Sequence, residues 1–81
     1  MFEVSVFDIK TASLLFKDNA SSVVLPGEEG EITALDFHQS FIATLKKGSI
    51  RIDLLNIAVK SGIAGMKNNE LSIFVESPED K

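Results

Sequence analysis

His38 is the only histidine in the 81-residue chain, and Asp36, Ser40 and Glu31 lie near it in sequence. Those residue types could make a hydrolytic set, with His38 as base, an acid orienting its ring and Ser40 as nucleophile. The spacing argues against it. Residues two apart on a strand point the same way, so Ser40 would stand beside His38 without any oxyanion donors, and no Gly-flanked serine elbow is present. Glu28, Glu29, Glu31 and His38 could offer oxygen and imidazole ligands to a hard cation, but the EF-hand spacing is absent and zinc would call for more His or Cys. Gly27 and Gly30 could open the backbone toward a phosphate. Three adjacent carboxylates would repel it, and no lysine follows as in a P-loop. The residues therefore point to no catalytic group, no metal and no cofactor. What remains at Leu25-Pro26-Gly27-Glu28-Glu29-Gly30-Glu31 is an exposed acidic bend, either simply solvated or a contact loop for a protein.

That bend has to be carried by strands. Phe2, Val4 and Val6 alternate with Glu3 and Ser5, the period of a strand with one buried face. Phe7 and Ile9 continue the apolar character on the other parity, which predicts a bulge near Phe7. Leu14, Leu15 and Phe16 make a second run, ended by turn chemistry at Lys17-Asp18-Asn19. Residues 21–25 make a third, stopped by Pro26, which lacks a donor for the ladder. The Pro26-Gly27 pair suits a turn whose second residue needs positive φ. Short apolar pieces come next at residues 32–35 and 41–45, then Lys46-Lys47-Gly48 as a hairpin turn with Gly in the strained place. Ser49-Ile50-Arg51-Ile52-Asp53 alternates cleanly. Residues 54–58 read as strand by length and β-branching, with Asn56 in a tight turn between Ile52 and Ile57. Ser61-Gly62 and Gly65 punctuate the stretch after it, Asn68-Asn69 suits a primed turn, and Leu71, Ile73 and Val75 alternate.

Short strands with frequent turn signals and no sustained helical pattern point to a sandwich or a partly closed barrel, and the fold expected is an antiparallel two-sheet sandwich. Its expected core draws on Val4, Val6, Phe16, Val23, Leu25, Leu45, Ile50, Ile52, Leu71 and Ile73. Residues 1–76 form this β-sandwich domain and residues 77–81 a charged C-terminal tail. The chain has the size of one domain with an economical core. With 12 acids against 8 bases and a formal charge of −4, and with no basic stripe, nucleic acid is excluded as a partner. The absence of Cys excludes a disulfide framework and thiolate chemistry. No apolar run approaches the ~20 residues of a membrane helix, so the expectation is a soluble, cytoplasmic protein without direct membrane insertion.

The run Val23-Val24-Leu25-Pro26-Gly27-Glu28-Glu29-Gly30-Glu31, then His38, then Thr44-Leu45-Lys46-Lys47-Gly48-Ser49-Ile50-Arg51-Ile52, closely resembles the N-terminal domain of the epsilon subunit of F-type ATP synthase. The similarity spans essentially the whole chain, and the motifs keep their order. The resemblance implies an all-β sandwich of about ten short strands. It implies a non-catalytic rotor subunit of the central stalk, seated beside the gamma subunit and on the c-ring, that couples ion translocation to ATP synthesis. Its place would be the cytoplasmic face of the inner (plasma) membrane, as a peripheral part of the complex. Many relatives continue into a two-helix domain that inhibits ATP hydrolysis; this chain stops where those helices would begin, so that domain is expected to be absent, and with it ATP binding. Glu31 and His38 match family positions that face the polar loops of the ring, and Glu29 and Gly30 lie in the same turn. The c-subunit loop of the family carries an arginine, to which a carboxylate on a stiff turn offers a charge-assisted partner. The alternative is a free-standing small β-domain that binds a peptide or small ligand.

Overall fold

A computed structural model describes residues 1–36 and 40–78. Nine strands succeed one another: β1 (Phe2–Asp8), β2 (Ser13–Ala20), β3 (Ser22–Gly27), β4 (Gly30–Leu35), β5 (Phe41–Leu45), β6 (Gly48–Ile52), β7 (Leu55–Val59), β8 (Ser61–Lys67) and β9 (Glu70–Glu76). No helix occurs among the described residues, and hence none that is long and apolar enough to cross a membrane. The strands form one curled sheet in the order β2-β1-β9-β8-β5-β3-β6-β7, with β4 on the other edge of β3.

β3 makes the sheet curl. Along one edge it pairs with β4 from Ser22↔Leu35 to Gly27↔Gly30. Its other edge is shared, with β6 at Val23 and Val24 and with β5 at Gly27. Two layers thus meet along one strand, β2-β1-β9-β8-β5 on one side and β4-β3-β6-β7 on the other. Alternating side chains from both layers converge on one core. Val4, Val6, Val23, Leu25, Leu45, Ile50, Ile52, Leu71 and Ile73 are buried in it as the alternation predicts, and Phe16 packs against its margin.

The bulge expected near Phe7 is present as a register shift between Val6 and Phe7 in the β1–β2 ladder. Asn68 and Asn69 both have positive φ, 54° and 61°, and join β8 to β9 as a primed two-residue turn. Other expectations are corrected. Lys17-Asp18-Asn19 does not end β2; these residues pair with Ser5, Val4 and Glu3. Pro26 does not stop β3, because it lies where the edge passes from β6 to β5 and its missing N–H interrupts no pair there. Its carbonyl instead accepts the Lys46 N–H at 2.9 Å. Lys46-Lys47-Gly48 is not a hairpin turn, since β5 pairs with β8 while β6 pairs with β7 and β3. The chain turns a corner between layers there, and among the described glycines only Gly30 has positive φ, 132°. Asn56 lies inside β7, paired with Arg51; the turn falls two to three residues earlier, at Asp53 with φ 51° and Leu54. Ser61, Gly62 and Gly65 do not punctuate the chain but lie within β8. The sandwich also departs from a wholly antiparallel one, because β1 and β9 run parallel from Glu3↔Glu70 to Asp8↔Val75.

Candidate functional site

The acidic bend is the tip of the β3–β4 hairpin. Gly27 pairs with Gly30 across it, and Glu28 and Glu29 form the two-residue turn. The strained residue is thus Gly30 and not Gly27, which is extended and buried. A side chain at Gly27 would meet the Gly30 carbonyl oxygen at 2.6 Å and Ile32 Cδ1 at 2.9 Å, so the close approach of the two arms is what requires glycine there. The tip of the hairpin is fastened to β5 through Glu28. The Glu28 N–H donates to the Thr44 carbonyl at 3.0 Å, and the Thr44 hydroxyl donates to Glu28 Oε1 at 3.2 Å. Glu28, Glu29, Gly30 and Glu31 are exposed, and a shallow depression runs between residues 28–32 and residues 42–44. The bend is therefore both outward-facing and anchored, so a carboxylate on it can meet a partner with little loss of freedom.

His38 lies outside the described residues. Asp36, two residues before it, has a carboxylate that accepts Asn69 Nδ2 at 2.8 Å and pairs with the Met1 ammonium group. Ser40 is exposed just before β5. Among the described residues no three His, Cys, Asp or Glu side chains come together as metal ligands.

The outer surface of the β2-β1-β9-β8-β5 layer carries a feature that sequence reasoning did not assign. Leu14, Phe7, Phe74 and Ile63 stand in one row across four strands, as the registers Phe7↔Leu14, Phe7↔Phe74 and Ile63↔Phe74 show. Phe7 and Phe74 stack with ring centroids 5.3 Å apart and planes inclined by 15°. The next row holds Ser5, Ser72 and Gly65 and ends on Ile42. These small residues leave a notch floored by Gly65 and Ser72 between Ile42, Ile63 and Phe74. Ile42 is 79% exposed, Leu14 52%, Ile63 44% and Phe74 42%, a grouping of large apolar side chains that marks an interaction surface. The signal was in the sequence, in the apolar residues off the core parity: Phe7 beside Val6, Phe74 between Ile73 and Val75, and Ile63. Ile42 also lines the depression beside the acidic hairpin, so apolar face and acidic tip are contiguous.

Fold and surface together define a small β-sandwich domain that offers an apolar sheet face and an anchored acidic hairpin. Residues 3–81 match the family described as the ATP synthase delta/epsilon chain β-sandwich domain, and the chain belongs to that family. The ATP synthase epsilon chain of Pelagibacter ubique (strain HTCC1062) is 41% identical over 69 residues, covering 80% of this chain and 53% of the relative. That of Gloeothece citriformis (strain PCC 7424) is 31% identical over 80 residues, covering 94% and 58%. The chain thus spans little more than half the length of these relatives. Among solved structures, a chain in the central stalk and c-ring of the Tetrahymena thermophila mitochondrial ATP synthase shares the fold, with a TM-score of 0.75 at 14% identity over 93% of this chain and 63% of that one.

Proposed function

We propose that this protein is a non-catalytic rotor component of an F-type ATP synthase, linking the gamma subunit to the c-ring so that ion translocation is coupled to ATP synthesis. In this reading it sits at the cytoplasmic face of the inner (plasma) membrane, held there by the complex and not by insertion. Family membership supports the assembly. The observation that carries the role is the contiguity, at Ile42, of an exposed apolar sheet face with an anchored acidic hairpin. The two surfaces suit two partners of different chemistry. The apolar row of Phe7, Phe74 and Ile63 with Ile42 suits a permanent protein interface, and we assign it to gamma; such interfaces run to about 2,000 Å² or more and are more apolar than transient ones. Glu29, Gly30 and Glu31, with His38, are assigned to the polar loops of the c-ring, where a carboxylate would meet an arginine.

Two substitutions separate the partners. Ile42→Asp places a charge on an exposed position of the apolar face, so the domain should stay folded and fail to co-purify with gamma. Glu31→Lys should leave the gamma complex intact and weaken retention on the c-ring. A domain whose two variants both bind gamma and c-ring as tightly as the parent would defeat the reading.

A further inference from the structure

Asp8 is the charged residue that the described part of the fold buries, at 6% exposure. It closes β1 and takes no part in either surface above. Its Oδ1 accepts the backbone N–H of Lys10 at 2.9 Å and that of Thr11 at 3.3 Å, shaping the turn toward β2. Its Oδ2 accepts the Ser77 hydroxyl at 2.5 Å. Around this contact the end of β9 is tied down. The Ile9 N–H donates to the Val75 carbonyl at 2.9 Å and the Lys60 N–H to the Glu76 carbonyl at 2.7 Å. Lys10 Nζ lies 3.8 Å from Glu76 Oε2, and the Ser61 hydroxyl donates to Glu76 Oε1 at 3.4 Å. Ser77 itself lies past the last ladder pairs of β9, at Asp8↔Val75 and Ser61↔Glu76. Sheet pairing therefore does not set the direction in which the chain leaves β9.

We propose that Asp8 and Ser77 form a latch, in which the buried carboxylate clamps the Ser77 hydroxyl against the β1–β2 turn and so fixes the chain at Ser77, where it leaves β9. A hydroxyl donating to an ionised carboxylate makes one of the stronger hydrogen bonds available to a side chain. Both oxygens of Asp8 are engaged, so burial of the group leaves no orphaned acceptor. Among the described residues the charged groups around the latch are Lys10 on the turn and Glu76 at the end of β9, and they face each other. The Ser77 hydroxyl is also the largest influence holding the Asp8 carboxyl below its ordinary value of 3.8; burial opposes it, while the Lys10 and Thr11 amides and the Lys10 charge assist. With a depressed value in the folded state, the latch is closed at neutral pH. It opens only as pH falls through Asp8's own lowered value. The inference depends on no partner and stands apart from the functional reading.

The test measures amide exchange and the carboxyl titration of Asp8 by NMR in the parent chain, Ser77→Ala and Ser77→Thr. Ser77→Ala should speed exchange of the Lys60 and Thr11 amides by about fivefold or more, and should raise the Asp8 titration midpoint toward the ordinary carboxylate range. Amides of Val23 and Ile52, across the core, should keep their protection, and Ser77→Thr should restore both signals. Unchanged Asp8 titration in Ser77→Ala overturns the latch. So does a loss of protection spread evenly over β3 and β6, which would mean general destabilisation.

Discussion

Gly27 and Gly65 both lie inside strands, yet a methyl group would meet very different neighbours at the two positions. At Gly27 it would sit 2.6 Å from a backbone oxygen, whereas at Gly65 nothing comes closer than 3.9 Å. Gly27→Ala must push the hairpin arms apart and should lower stability by about 1–3 kcal/mol, the usual cost of overpacking. Gly65→Ala should be neutral or stabilising by up to ~1 kcal/mol, because alanine loses less backbone freedom than glycine on folding. Urea titrations of the two variants check this, and equal midpoint shifts would contradict it. The sequence identifies the bend but not the role of each glycine in it. Pro26-Gly27 has the composition of a turn, and only the pairing of β3 with β4 moves the turn two residues on. For the proposed c-ring contact, that displacement puts Glu28 and Glu29 at the tip and Glu31 on the ascending arm.

Each strand of the β2-β1-β9-β8-β5 layer has an inner face and an outer one, and β9 separates them most clearly. Leu71, Ile73 and Val75 are buried, while Phe74 is 42% exposed on the other side. Ile73→Ala should cost about 2–5 kcal/mol by opening a cavity in the core. Phe74→Ser should leave the denaturation midpoint within a small fraction of that shift while abolishing the proposed gamma contact, which pull-down would show. If both substitutions destabilise alike, the outer face is part of the core and not an interface. The inner faces of β1, β3, β6 and β9 were legible from period-two alternation, and so were the bulge at Phe7 and the Asn68-Asn69 turn, whereas the buried Ala64 and Met66 of β8 were not. The extent of the strands was less so. Asp18 and Asn19 carry turn chemistry but extend β2, because the edge of β1 is long enough to pair with them. Lys46-Lys47-Gly48 has hairpin composition, yet tertiary packing sends the flanking strands into different layers. Local residue preference cannot specify such a corner, since the partner strands β8 and β7 come later in the chain.

At the scale of the molecule the two layers differ in what they present outward. One offers the row from Leu14 to Ile63 with Ile42 beside it, and the other shows Thr33, Val24, Arg51 and Asn56 across β4, β3, β6 and β7. β3 joins the layers, and its hairpin with β4 projects from that joint. A partner seated on the apolar layer would therefore leave the acidic tip free for a second partner, which is the geometry a coupling element needs. Hydrogen exchange with and without gamma tests that arrangement as a whole. Amides of β1, β9, β8 and β5 should gain protection on binding, while those at the exposed edge of β7 should not change. Charge reversal then addresses the second surface: a reassembled enzyme carrying Glu31→Lys together with His38→Ala should keep the gamma-dependent protection and lose coupled pumping and synthesis. Such an enzyme pumping and synthesising ATP at the parental rate would remove Glu31 and His38 from the c-ring contact. Protection confined to β6 and β7 would place gamma on the polar layer and leave the apolar row of Phe7, Phe74 and Ile63 without its proposed partner.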